Sequence, residues 1–316
     1  MRLTERQRLE SRHAELKKHR STWETEWRAI TEQFRPYGAR WYSSDFRKGK
    51  AKSHTELINS TPARAQRILC AGMMAAITSP SRVWFHLTTT DKQLGERHAI
   101  RSYLDECERI IREDLAQARF YQALAGGVYP DLVGPGVGAM LEEEEEDGSI
   151  RFEPLVIGEY YLDVDSKGAV DTVFYERPWT IRQLVERFGI DRVSPASRHA
   201  YNRGDLGTTV DVIRAIYPNS DWSSARSGPE GMAWASRWWE VRDNRKDAYL
   251  RTGGFYEFPV MAPRWLSRAG EAYGRGSPGW EARGDAAALQ HQEITLAKLV
   301  DKTAEPPMVA SQSLAN

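Results

Sequence analysis

Cysteine is nearly missing from this sequence. Cys70 and Cys107 are the only two in 316 residues, and both fall on apolar faces of predicted helices, where a free thiol behaves as a small hydrophobe. A disulfide-stapled scaffold is therefore not indicated. Charge of one sign is missing as well: 44 Lys plus Arg stand against 44 Asp plus Glu, which removes the global basic character of a sequence-specific DNA-binding domain. No apolar run is long enough to span a bilayer, and the N-terminal MRLTERQRLESRHAELKKHR is charged throughout, without the apolar centre of a signal peptide. The expectation is a chain made in the cytosol with no membrane partner. The seven histidines (His13, His19, His54, His86, His98, His199 and His291) are scattered, with no pair at metal-ligand spacing and no neighbouring cysteine pair. There is no Gly-x-Ser-x-Gly elbow and no Gly-Lys-Ser/Thr phosphate loop. No catalytic residue, cofactor or metal is expected.

What is there is a chain long enough for one large or two ordinary domains with real cores, holding eleven Trp and thirteen Tyr. Aromatics in that number serve either a thick core or a surface that buries against a partner. Residues 4–35 read as a charged helix with a thin apolar stripe of Leu9, Leu16, Trp23, Trp27, Ile30 and Phe34, ended by Pro36. So thin a stripe must lie on another element or another subunit. The loop Gly38–Ser53 is basic: Arg40, Arg47, Lys48, Lys50 and Lys52 face only Asp45, a candidate contact for DNA phosphates that also reads as an ordinary solvated loop. Thr61-Pro62 starts a helix whose stripe of Ala65, Ile68, Leu69, Gly72, Met73 and Ala76 predicts a core position. Val83–Leu87 reads as a short buried strand, and residues 91–118 as a helix with Ile100, Tyr103, Leu104, Cys107, Ile110, Ile111 and Leu115 on one face. A further helix near Phe120 should kink or end at Gly126-Gly127 and Pro130.

Two hairpins follow. Asp147-Gly148 joins Gly138–Glu146 to Ser149–Ile157, and Ser166-Lys167-Gly168 joins Tyr160–Asp165 to Ala169–Arg177. The run Glu142–Glu146 is no metal site in a strand, which sends alternate carboxylates to opposite faces, and Asp163 with Asp165 reads as a polar hairpin end. Thr180 and Gly189 bracket a short helix. From Thr208 onward the pattern is strands: Val210–Tyr217, Ala233–Arg242 and Tyr249–Leu266, the last broken by Pro259 and Pro263 into an edge strand or two short ones.

The stretch from Gly253 to Val309 orders the rest. A strand pattern leads into the glycine-rich turn Gly270–Gly279, and then into a helix read from an N-cap at Asp285 through Ala286, Leu289, Leu296 and Val300 to Pro306-Pro307. Gly274-x-Gly276-x-x-Gly279 matches a dinucleotide-binding fingerprint by letter. With Pro278 inside the pattern, the helix placed several residues later and no βαβ unit after it, the match reads as accidental.

In this stretch Phe258-Pro259, Arg264-Trp265 and Gly270-Glu271-x-Tyr273-Gly274-Arg275-Gly276, followed by the helix ending at Pro306-Pro307, resemble the portal proteins, or head-to-tail connectors, of short-tailed bacteriophages. Upstream, Trp27 with Pro36-Tyr37, Asn59-Ser60-Thr61, Ala71-Gly72-Met73 through Thr78-Ser79-Pro80, Arg82-Val83-Trp84-Phe85 and Gly158-Glu159 resemble that family in its own order. The specificity lies in the ordered set and not in any one piece. The resemblance implies an α+β, portal-like fold: a wing-like helical and β-hairpin region over residues 1–178, a small β-rich stem or clip-like subdomain over 179–283, and a channel-side helix with its tail over 284–316. Chains of that family run on past the position of Pro306-Pro307 into further wing and a helical crown, which this sequence does not contain.

By the same resemblance the protein is a non-enzymatic structural subunit of a ring of about twelve copies at a capsid vertex, present in the virion and, during assembly, in the host cytoplasm. Double-stranded DNA would pass through the ring during packaging and ejection, contacted by backbone and not by base sequence. Terminase large subunit, major capsid or scaffold protein and tail adaptor would be its partners. Two readings from other classes stand beside this one: a nucleotide-binding enzyme using Gly274–Gly279, and a nucleic-acid-binding module using Arg40–Lys52.

Overall fold

A computed structural model describes residues 3–36, 38–41, 57–145 and 147–306. Helix α1 (Glu5–Phe34) starts at Thr4, whose hydroxyl accepts from the Gln7 amide while the Gln7 side chain accepts from Thr4 N, a complete capping box. At 1.5 Å per residue it is about 45 Å long. Helices α2 (Thr61–Ile77), α3 (Lys92–Gly95) and α4 (His98–Gln117) follow. The next helical stretch does not break at its glycines. It runs through α5 (Phe120–Ala123), a π turn at Leu124–Val128 and α6 (Tyr129–Val133). The wider turn absorbs Gly126-Gly127, and a Cβ on Gly127 would collide with the Pro154 side chain of the strand beneath.

Strands β1 (Ala139–Glu144) and β2 (Ile150–Leu155) form the first expected hairpin, with Gly148 at φ 82° in its turn. The second is β3 (Tyr160–Val164) with β4 (Val170–Thr180). Helix α7 (Ile181–Phe188) has the expected Thr180 cap and Gly189 stop. Helix α8 (Pro195–Asn202) was not foreseen, although Ser194 at the cap and Pro195 in the first turn are its start signal. Strands β5 (Thr209–Pro218), β6 (Trp234–Glu240), β7 (Arg251–Phe255) and β8 (Val260–Met261) precede α9 (Pro278–Ala304).

The strands build two antiparallel sheets, β2-β1-β8 and β3-β4-β5-β6-β7. The proline-broken segment thus yields an edge strand in each sheet, β7 and β8. The larger sheet draws β3 and most of β4 from before residue 179 and β5–β7 from after it, so its hydrogen bonds run continuously across the boundary between the wing-like and clip-like regions read from sequence.

Alternation at period two sorts the five-stranded sheet's side chains. Leu162, Val173, Tyr175, Val212, Ile216 and Trp238 turn to one face, where the main core holds Trp27, Leu141, Leu155, Val260 and Tyr273. Tyr161, Phe174, Ile213, Ala215 and Trp239 turn to the other, which Leu9 and Leu16 of α1 cover. The thin stripe on α1 therefore has its partner within the chain.

Polar ties fix α1 along its length. Arg6 donates to the carbonyls of Glu240, Asp243 and Ala248. Arg20 donates to those of Gly158, just before β3, and Tyr160, its first residue, each at 2.9 Å. Glu26 pairs with Arg283, and Arg35, just past the helix end, with Asp131.

Three expectations are corrected. The apolar stripe of α2 is not core: only Pro62, Gln66 and Cys70 are buried, while Ile68, Leu69 and Ile77 are exposed. Its periodicity is real, but nothing among the described residues covers Ile68, Leu69 or Ile77. Val83–Leu87 forms no strand, because the Glu108 carboxylate takes Leu87 N (2.7 Å) where a neighbouring strand would be needed. Helix α9 begins at Pro278 with Ser277 as its cap, so Asp285 lies within it.

Candidate functional site

The turn between β8 and α9 is where α1, both sheets and α9 meet, and it contains the motif residues Arg264, Trp265, Gly270, Glu271, Tyr273, Gly274, Arg275 and Gly276. Val137 bridges to Arg264 and Leu266 to Arg275. Trp265 N donates to Gly136 O (2.9 Å) and Gly138 N to Pro263 O (3.1 Å), so the segment lies along the approach to β1. Arg264 spans the turn, donating to the carbonyls of Glu271 and Gly168, each at 2.7 Å. Tyr273 is fully buried. Its hydroxyl accepts from Leu162 N (3.0 Å) on β3, and its ring meets Trp27 edge-on at 5.0 Å. Arg275 lies over the Trp23 ring (5.1 Å) and pairs with Glu271. Gly270 and Gly276 have φ of 81° and 63°, the left-handed region where a side chain strains the backbone.

The glycines that imitate a nucleotide fingerprint are used for close backbone packing. A Cβ on Gly274 would overlap the Gly136 carbonyl, and one on Gly279 would sit 2.8 Å from Gly134 Cα. With α9 starting at Pro278, Gly279 does lie in the first helical turn, contrary to the expected spacing. The helix start is nonetheless taken: the Ser277 hydroxyl donates to Gly134 O and Trp280 Nε1 to Pro135 O (2.6 Å). A diphosphate needs free amides and open space at a helix start, and here protein backbone fills it.

Around this turn sit buried ion pairs that join residues far apart in sequence. Asp131 is fully buried, pairs with Arg35 and accepts from Ile157 N (3.3 Å); burial pushes its carboxyl up to about 6 against the pull of Arg35. Glu159, equally buried, receives Arg40 and Arg177, and Arg177 also holds Glu153. Next to it Gly158 has φ 99°, and a Cβ there would collide with the Arg40 carbonyl. Glu143 collects Arg151, Arg187 and the buried Arg214. Burial raises its pKa, but the three guanidiniums outweigh that and hold it below the usual carboxylate range. Arg214 lies 4.5 Å from the Trp238 ring and donates to Tyr175 Oη (3.0 Å) and Ser236 Oγ (3.1 Å).

Sequence reasoning named Glu159 only by resemblance and missed Arg20, Asp131 and Arg214. The one local signal for Arg214 was a lone cation in the otherwise apolar centre of β5. Of the five candidate DNA contacts, Arg40 is engaged with Glu159, while Arg47, Lys48, Lys50 and Lys52 lie outside the described residues. Among the described residues no group of three or more His, Cys, Asp or Glu is placed to hold a metal ion, and no helix is long and apolar enough to cross a membrane. Cys70 and Cys107 are free thiols; burial pushes the Cys70 thiol up to about 11.

Comparison with known proteins bears on the whole chain. The family model described as bacteriophage head to tail connecting protein matches residues 6–316. The portal protein of Salmonella phage epsilon15 is 36% identical over 313 residues, and the probable portal protein of Bordetella phage BPP-1 is 34% identical over 313. Each alignment takes in 99% of this chain and 56% of the relative, so the chain spans about half the length of these relatives. With a family match over residues 6–316 and relatives 34–36% identical across 99% of its length, the chain belongs to the family of bacteriophage head-to-tail connecting proteins.

Proposed function

We propose that the chain is a structural subunit of a ring-shaped portal at a capsid vertex, through which double-stranded DNA passes during packaging and ejection. The observation that carries this reading is the family match over residues 6–316, together with the relatives' description as portal proteins. Two physical features support it. Arg264, Tyr273, Gly274 and Arg275 of the motif are used for internal packing, as a scaffold requires. The net charge is zero, and a channel wall that DNA must slide along is served by weak phosphate contact, since each neutralised phosphate adds salt-dependent affinity. Terminase would dock on the assembled ring, capsid or scaffold protein would surround it, and a tail adaptor would close it after packaging. The subunit would act in the host cytoplasm and then remain in the virion.

Native mass spectrometry of the purified chain, with electron micrographs of the large species, tests the reading. A closed ring of about a dozen copies with a central hole is the expected result. A clean monomer at tens of micromolar would count against ring formation by this chain.

A further inference from the structure

The chain leaving α1 is held to the core by two arginines. Arg35 pairs with Asp131 of α6 and donates to Gly126 O in the π turn (2.6 Å). Arg40 pairs with Glu159, and its backbone N donates to Ile157 O (3.1 Å). Both carboxylates are buried, but they are unequally matched. Glu159 receives two guanidiniums, from Arg40 and from Arg177, and Arg177 is itself shared with Glu153. Asp131 receives one, and its other bond, from Ile157 N, is long at 3.3 Å.

Ionised, this cluster sets the carboxylates of Asp131, Glu153 and Glu159 against the guanidiniums of Arg35, Arg40 and Arg177. A proton on Asp131 leaves one guanidinium in excess, and a guanidinium does not give up its own proton. An unmatched buried charge is costly, so Arg35 is driven toward water. Two observations give it a way out. Arg35 walls an apolar cavity of about 820 Å³ that also runs past Pro36, Gln66, Cys70 and Pro130, so its side chain borders open space. Its stem is folded under Gly38, where a Cβ would overlap Arg35 Cγ, Cδ and Nε. The paired position is thus open to Arg35 only while residue 38 lacks a side chain.

We infer that Arg35 and Asp131 form a proton-released latch: protonation of Asp131 sends the Arg35 guanidinium into the cavity, frees Gly126 O and loosens the chain leaving α1, while Arg40 and Glu159 stay closed. The other ionisable groups facing Asp131 are Glu159 on the β2–β3 turn, Tyr160 on β3 and Cys70 on α2. Burial raises the Tyr160 hydroxyl and pushes the Cys70 thiol up to about 11, so both keep their protons near neutrality. Asp131 is carried up to about 6 by burial, against the pull of Arg35. A carboxyl raised in this way is ionised above that value and protonated below it. The latch is therefore closed near neutrality and opens as pH falls through about 6.

Hydrogen exchange of the full chain reads the latch, followed by mass spectrometry in peptides covering residues 34–41 and 124–133 and scaled for the intrinsic pH dependence of exchange. Between about pH 7.5 and about pH 5 the wild type is expected to lose protection in both by on the order of tenfold, as the protonated fraction of Asp131 climbs. Asp131→Asn, uncharged throughout, should be loosened at both values with no step between them. Gly38→Ala alters no charge; its Cβ should eject Arg35 and loosen both peptides at neutral pH, a test that stands even where the Asn variant does not fold. Wild-type protection that is constant across about pH 6, or Gly38→Ala with wild-type protection at neutral pH, overturns the latch. So does a step that persists in Asp131→Asn, since His13 near the other end of α1 titrates in the same window and would then be its source.

Discussion

His13 stands on α1 with its ring stacked against Phe174 at 5.7 Å and edge-on to Tyr161 at 4.8 Å. Its Nε2 is buried without a hydrogen-bond partner. Burial, reinforced by Lys17 and Arg20, pushes its pKa down from 6.5 to about 4. A histidine kept neutral by the fold contributes stability that is complete above its unfolded pKa and lost as pH falls from about 6.5 towards 4. Asp131 acts in the opposite sense over nearly the same window. Its folded pKa of about 6 lies above the ordinary 3.8, so protonation favours the folded state progressively as pH falls between those values. The two slopes offset each other in the wild type. His13→Phe, which cannot titrate, should therefore gain on the wild type by on the order of 3 kcal/mol between about pH 7 and pH 4, read from urea midpoints along a pH series. Parallel pH profiles for the two proteins would assign the acid response to another group.

At the scale of the element, the turn ahead of α9 sets two glycines of the same region against each other. Gly274 touches the backbone of Gly136, whereas Gly284, inside α9, has open space where a Cβ would stand. Gly274→Ala should destabilise by about 1–3 kcal/mol through overpacking. Gly284→Ala should stabilise by about 0.5–1 kcal/mol through lower unfolded-state entropy and better helix propensity. Thermal melts of the two variants check both signs, and a neutral Gly274→Ala would mean that the turn yields more easily than its contacts imply.

The same elements show what the sequence could and could not reveal. Local chemistry announced itself: Thr180 and Gly189 bracket α7, and Asp147-Gly148 turns β1 into β2. Ser277-Pro278 is an equally plain start for α9, yet the stronger propensity run after Asp285 drew the boundary eight residues late. Amphipathic spacing placed α2 as a helix but not its surroundings, because periodicity tells which side is apolar and not what covers it. The pairs Arg35–Asp131 and Arg40–Glu159 join residues 96 and 119 positions apart. No local pattern encodes such a meeting. The motif residues around Arg264–Gly276 were legible as a set, whereas their role as packing between four elements needed the contacts themselves.

For the whole molecule, the balance of 44 cations and 44 anions limits how DNA is treated. Binding to linear duplex should be weaker than about 10 µM at physiological salt, with a shallow dependence of affinity on salt concentration, as measured by filter retention across a salt series. Reversing Arg47, Lys48, Lys50 and Lys52 should remove most of what slope remains. Tight, steeply salt-dependent binding would point to a gripping surface in place of a sliding one.

Helix α1 also imposes an order in time. Its ties reach Asp131, Gly158, Glu240, Ala248 and Arg283, all synthesised long after the helix itself has left the ribosome. At about 5–20 residues per second, the first helix made waits roughly 10–50 seconds for the last of its partners. During that interval Trp27, fully buried in the finished protein, has nothing to bury it. The mostly charged surface of α1, which looks excessive for a helix at the centre of a fold, is what keeps the nascent chain soluble until that centre exists.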